Sequence, residues 1–274
     1  IQVGAARDFA LGVTFVDGTG QVLSNGGRVM KNVTGYDLVK LMSGSWGTLG
    51  VLTEVALKVL PVSETQVTLK VHVNTWADAV GCMSAALGTP FDVSGAATVQ
   101  AAEGGFDSLI RIEGFETSVQ YRASELTQRL AKFGTVDVVG DPWAEVKDLR
   151  AWAALDTVWR ISVRPTDSLK VIELMQGLQQ DRGFHCQLDW GGGLLWLGLE
   201  AAQMADTRAG LALHQALQRH VAQLRGHATL VTSGLLRDQE LCHFQPLERA
   251  IERVSQSLRE KFDPRGILNP GRMR

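Results

Sequence analysis

Residues 26–60 read GGRVMKNVTGYDLVKLMSGSWGTLGVLTEVALKVL, and the reading of this stretch decides the fold. Its first 25 residues hold six glycines: Gly26, Gly27, Gly35, Gly44, Gly47 and Gly50. After Gly50 the pattern changes to strict alternation. Val51, Thr53, Val55, Leu57 and Val59 fall on one face, and Leu52, Glu54, Ala56, Lys58 and Leu60 on the other. A period of two predicts a β-strand packed mainly on one side, ending before Pro61. Glycines this dense, delivered onto a rigid strand, let a backbone come close to something flat or charged. The plainer alternative is a hairpin loop with spare glycines, since glycine is the ordinary turn residue.

Working outward, Leu11–Val16 and Gln21–Leu23 predict a hairpin, with Asp17-Gly18 supplying the turn. A short helix is expected from Tyr36 to Met42. Asp37 suits its positive end and Gly44 stops it. Pro61–Thr65 reads as a domain boundary. Beyond it one order of elements occurs twice. Strands at Thr68–Val73, Ser94–Val99, Ser108–Ile112 and Val136–Val139 enclose helices at Trp76–Leu87 and Ser118–Lys132. Strands at Val158–Val163, Phe184–Trp190, Leu195–Leu199 and Ala228–Val231 enclose helices at Ser168–Gln179 and Asp206–Leu224. Two β-α-β-β-α-β units should pair into one mainly antiparallel sheet with helices on one face. Asp141–Leu155 links the units, and a last helix over Gln245–Lys261 carries an apolar stripe of Leu247, Ile251, Val254 and Leu258.

Composition narrows the function. The chain has 274 residues, is 45% hydrophobic and 20% charged, and carries a net charge of −2. That balance gives no electrostatic reason to expect nucleic acid or an anionic membrane surface. No apolar run approaches the roughly 20 residues a membrane helix needs. The three cysteines, Cys82, Cys186 and Cys242, make no zinc or iron–sulfur spacing and suit a reducing cytoplasm. Each sits among apolar neighbours and reads as a small buried hydrophobe. The dinucleotide fingerprint and the phosphate loop of nucleotide hydrolases are both absent. Among six histidines there is no H-x-H or H-E-x-x-H pair. Arg160, between Trp159 and Ile161 in a strand, should project to the opposite face from them. A guanidinium in an apolar strand calls for an anion: a substrate carboxylate, or a structural ion pair.

The order KNVTGYDL, then GSWGTLGVLTE, then Lys58 and Pro61, resembles the second half of the FAD domain in the vanillyl-alcohol-oxidase-like (PCMH-type) flavoproteins. Within that superfamily the chain is most similar to the FAD-binding E subunits of bacterial glycolate oxidase (glycolate dehydrogenase). The resemblance extends through Ala6–Gly12, Leu155–Ser162, Leu188–Gly193, Gly226–Thr229 and Phe262–Met273, nearly the whole chain. It implies an α+β fold in three parts. Residues 1–62 would be the second lobe of an FAD-binding domain, 63–245 a cap of two fused ferredoxin-like units, and 246–274 a helix and tail returning to the FAD domain. It implies that FAD is lined by Gly47, Thr48, Leu49, Gly50, Val51 and Leu52, with Asn32, Gly35 and Tyr36 near the flavin ring. On this view Gly47 and Gly50 are glycine because a side chain would collide with the cofactor. Trp46 stands where the family usually has an acidic residue, which affects that one contact. The family's pyrophosphate loop lies upstream of Ala6–Gly12. The chain as given is therefore expected to hold half a cofactor site, to bind FAD weakly, and to expose apolar surface.

The resemblance also implies hydride transfer from the 2-carbon of a 2-hydroxyacid to flavin. It implies an FAD-bearing catalytic D subunit and an iron–sulfur F subunit as partners, and a cytoplasmic site reaching the membrane only through that complex. Related catalytic subunits carry a metal run like G-H-x-G-D-G-N-x-H. Here Gly226-His227-Ala228-Thr229-Leu230-Val231 lacks the later ligands, so no metal is expected and His227 reads as a core or capping residue. That loss gives the alternative reading, a non-catalytic structural or electron-relay subunit. A free-standing carboxylate-binding module is a third reading.

Overall fold

The computed structural model describes residues 3–30, 35–236 and 241–273. The chain divides into two compact units, Val3–Val62 with Pro246–Arg274, and Ser63–Gln245.

In the first unit, α1 (Ala6–Phe9) runs into β1 (Ala10–Val16), followed by β2 (Val22–Gly26), α2 (Leu38–Met42) and β3 (Val51–Leu57). The strands form a three-stranded antiparallel sheet in the order β2-β1-β3. The β1–β2 turn falls on the expected connection that begins at Asp17-Gly18. Asp17 N–H donates to the Gln21 carbonyl at 3.0 Å, and the left-handed residue is Gly20 (φ +89°). Asp17 organises it by accepting from the Thr19 hydroxyl at 2.6 Å and from the Thr19 and Gln21 amides. Asp37 caps α2 by accepting from Lys40 N–H at 3.0 Å. Phe15 is fully buried beneath Val39, Met42 and Leu49.

β3 departs from its sequence pattern. It ends at Leu57, not Leu60, and all of its residues except the half-buried Ala56 are exposed. The alternation is real, but β3 is an edge strand paired only with β1. Val51, Val55 and Leu57 therefore lie 45–58% exposed.

The second unit runs β4 (Thr65–Val73), α3 (Trp76–Leu87), β5 (Val93–Gln100), β6 (Phe106–Gly114), α4 (Glu116–Leu130), β7 (Val136–Val139), α5 (Trp143–Asp148), β8 (Thr157–Ser162), α6 (Ser168–Gln179), β9 (His185–Asp189), β10 (Leu194–Leu199), α7 (Thr207–Gln223) and β11 (His227–Thr232). Eight strands make one antiparallel sheet in the order β11-β8-β10-β9-β5-β6-β4-β7. Within each half the sequential strands lie fourth, first, third, second, which is the ferredoxin-like order. The halves join where β5 pairs with β9, Ala97 opposite Asp189 and Thr98 opposite Leu188. Leu69, Val71, Ile110, Trp159, Ile161, Leu188, Leu195 and Leu197 are buried in one cluster with Met83, Leu126, Met175 and Leu217 of α3, α4, α6 and α7.

The expectation of helices on one face holds for those four; α5, which lies in the linker between the two halves, packs elsewhere. Val146 of α5 packs on Ala97 and Leu109, on the other face of the sheet. Trp143 Nε1 donates to Thr68 Oγ1 at 2.9 Å, and the Trp143 ring fills the space a side chain on Gly95 would take. A six-residue helix is too short for its periodicity to reveal which layer it joins.

The last helix, α8 (Arg249–Phe262), belongs to the first unit. Phe262 meets Phe15 with ring centroids 6.1 Å apart. No residue of α8 is buried, and Ile251 and Val254 are more than half exposed. Among the described residues no helix is long and apolar enough to cross a membrane.

Candidate functional site

The glycine-rich stretch folds as α2, a loop, then β3. Trp46 (φ +54°) and Gly47 (φ +70°) are consecutive left-handed residues at the loop's apex. Thr48 N–H and Oγ1 both return to the Ser45 carbonyl, at 3.0 and 2.7 Å. A tail residue completes the loop: Asn269 Nδ2 donates to the Trp46 carbonyl at 2.7 Å. The Arg272 guanidinium lies 4.9 Å above the Trp46 ring, a cation–π distance.

The structure separates the sequence-predicted residues into two groups. Thr48 and Leu49 are buried, at 5% and 6% exposure, and Leu49 is part of the unit's own core. Gly50 is buried too, with a backbone outside the left-handed region. A Cβ on Gly50 would stand 2.7 Å from Phe15 Cδ2, 3.0 Å from the Val16 carbonyl and 3.1 Å from Met42 Cε. Internal packing is by itself enough to forbid a side chain there. A Cβ on Gly47 would meet Asn269 Nδ2 at 2.7 Å. Val51, Leu52 and Tyr36 present open side chains, 58%, 45% and 89% exposed. Gly35 is left-handed (φ +75°) with open space around its Cα. Asn32 lies outside the described residues.

Arg160 is in the other unit, on the sheet face opposite the buried Trp159 and Ile161. It is exposed, stands across from Trp196 and Thr229, and lies 6.0 Å from the Trp196 ring centroid. Among the described residues no carboxylate forms an ion pair with it. Arg164 does have one, donating to Asp167 at 2.7 Å. On the Arg160 face, Asp189 was not singled out from the sequence. Burial raises its carboxyl above the ordinary range, against the Trp190 N–H and the charges of Arg111 and Arg160, which lower it.

Cys82 and Cys186 are buried, and burial pushes the Cys82 thiol up to about 12. Cys242 is half-buried, its thiol donating to the Phe244 carbonyl. His227 is exposed at the first position of β11, not in the core. The core histidine is His214, 1% exposed, whose Nδ1 accepts from Trp159 Nε1 at 3.0 Å. Among the described residues no group of three or more His, Cys, Asp or Glu could hold a metal ion.

No family model matches the chain. Glycolate oxidase subunit GlcE of Escherichia coli (strain K12) is 35% identical over 98% of the chain, and the chain spans 66% of that relative's length. Glycolate oxidase subunit GlcD of Bacillus subtilis (strain 168) is 42% identical over 25% of the chain and 15% of its own length. The solved structure of p-cresol methylhydroxylase superposes with a TM-score of 0.67 at 13% identity, covering 97% of this chain and 65% of that one. The fold is therefore that of the PCMH-type FAD-binding flavoproteins. The similarity to glycolate oxidase subunit GlcE is narrower than a shared fold, running over nearly the whole of this chain at 35% identity.

Proposed function

We propose that the chain is the FAD-binding subunit of a glycolate oxidase (glycolate dehydrogenase) complex that oxidises glycolate to glyoxylate. The observation that carries this reading is the 35% identity to subunit GlcE over 98% of the chain. In this reading Val3–Val62 is the second lobe of the FAD domain, Ser63–Gln245 the cap, and Pro246–Arg274 the returning helix and tail.

The residues fit FAD at one surface. Gly35 offers open left-handed backbone, and Tyr36, Val51 and Leu52 offer exposed apolar side chains for a flat ring. Those residues, with Asn32 and the backbone of Gly47, hold the cofactor. Thr48, Leu49 and Gly50 contribute by fixing the loop from beneath. When bound, the flavin supplies the acceptor for the hydride leaving C2 of a 2-hydroxyacid. Arg160 binds and orients the substrate carboxylate, since its fork matches two carboxylate oxygens and no described carboxylate pairs with it. The cysteines have no cluster spacing, so electrons leave through partners, an FAD-bearing D subunit and an iron–sulfur F subunit. The complex is cytoplasmic and reaches the membrane only through those partners.

A second reading, an electron-relay subunit, is favoured by β11. Where the related metal run places an aspartate, this chain has Leu230, 2% exposed in the hydrophobic core. One experiment decides between the two. The full-length subunit is purified, its flavin absorbance recorded, and glycolate added anaerobically without partners. Bleaching supports substrate chemistry here, flavin without bleaching supports the relay, and no flavin overturns both.

A further inference from the structure

We propose that the C-terminal segment Asp263–Arg272 is a positioning strap for the cofactor loop, with Asn269 as its working residue. The proposal rests on the reading that the backbone of Gly47, with Val51 and Leu52, holds FAD.

Two left-handed residues in a row are costly when one is a tryptophan, because its Cβ crowds the following carbonyl. The strap supplies the compensation. The Asn269 amide holds the Trp46 carbonyl at 2.7 Å, and the same nitrogen fills the space beside Gly47. One side chain thus sets the peptide and accounts for the glycine. Arg272 clamps the Trp46 ring from above. Asn269 itself is left-handed (φ +45°), and asparagine tolerates that conformation better than most residues.

The strap is anchored independently of the loop. Asp263 Oδ2 accepts from Leu268 N–H at 2.7 Å, Arg265 donates to the Gly18 carbonyl at 3.0 Å, and Arg259 donates to the Met273 carbonyl at 2.7 Å. A trans peptide points its N–H opposite to its carbonyl. With the Trp46 carbonyl tied to the tail, the Gly47 N–H is aimed away from it, and no described residue accepts that hydrogen. The strap therefore presents a fixed backbone donor. Its chemical match is an anionic or carbonyl oxygen of the cofactor.

The test uses Asn269→Asp in the full-length subunit. Aspartate has the same shape and tolerates the same backbone, but turns an acceptor toward the Trp46 carbonyl. FAD affinity is measured by fluorescence titration of the apo-subunit, and amide exchange of residues 46–50 by mass spectrometry. The expected result is at least tenfold weaker FAD binding and faster exchange at 46–50, with unchanged exchange in the eight-stranded sheet. Arg272→Ala should weaken FAD binding in the same direction, and Arg272→Lys should restore most of it by keeping a cation over the ring. Unchanged affinity and exchange in Asn269→Asp would overturn the strap. A wild-type subunit that binds no FAD would instead overturn the reading of the loop, while the exchange data still report whether Asn269 holds it.

Discussion

Gly50→Ala should weaken the first unit before it touches any cofactor. The new methyl carbon would stand 2.7 Å from Phe15 Cδ2, 3.0 Å from the Val16 carbonyl and 3.1 Å from Met42 Cε. Met42 can swing its methyl aside. Phe15 cannot, being fully buried and braced by Phe262. The Val16 carbonyl is held in β1, which is paired on both sides. Overpacking of this kind costs about 1–3 kcal/mol. With a urea slope of about 2 kcal/mol/M, a mid-range cost of about 2 kcal/mol moves the midpoint down by about 1 M. Urea unfolding followed by amide exchange of β1 isolates this unit from the eight-stranded sheet. FAD affinity should fall only in proportion to the loss of folded unit. If β1 exchange and the midpoint stay unchanged while FAD binding disappears, the collision is with the cofactor and the packing argument is wrong.

Arg160→Lys should leave stability within about 0.5 kcal/mol, as for other surface changes, because Arg160 is exposed and unpaired with any described carboxylate. Losing a charge-assisted hydrogen bond costs about 1.5–3 kcal/mol, so glycolate kcat/KM in the assembled complex should drop roughly one to two decades; normal kinetics would remove Arg160 from the site. Burial, with His243 nearby, holds His214 below its usual value, so the fold favours the neutral ring. Its contribution to stability is therefore present above the unfolded value of about 6.5 and is lost as pH falls through the lower folded value. Chemical denaturation at pH 7 and pH 5 should show that loss, and His214→Asn should flatten it; a wild-type curve already flat over this window would contradict the assignment. The exposed Val51, Val55, Ile251 and Val254 should bind a hydrophobic dye and promote association of the isolated chain, and Val55→Lys with Ile251→Glu should reduce both. A monodisperse, dye-free wild-type chain would count against this.

Much of the second unit was legible because its elements are long and periodic. α3 and α6 occupy the ranges their apolar spacing predicts, and so does β7. The strand order of each half then follows from the β-α-β-β-α-β sequence of elements. Periodicity reports a face, however, and not what covers it. For that reason β3 looked one-sided in sequence and is exposed on both sides. The glycine-rich loop was visible as composition, but the atoms that demand each glycine were not. Gly50 is crowded by Phe15, 35 positions earlier, and Gly47 by Asn269, 222 positions later. Asn269 could be found only as part of a recognisable tail motif, since no local pattern records a contact across the whole chain. Arg160 was placed on the correct face by strand alternation alone, whereas its neighbours Trp196 and Asp189 needed the register of three strands.

The joint between β5 and β9 has a consequence for how the second unit holds together. Each of these is the second strand of its own half, and they meet antiparallel, like against like. That is the self-complementary contact of a two-fold dimer, here made inside one polypeptide. Each half seals the other's open strand edge, and a single apolar cluster runs through both. Neither half is expected to be a finished module when expressed alone, because it would present a bare strand edge and half a core. Cutting the connection at residues 140–142 leaves both halves present and should yield a nicked unit that stays associated.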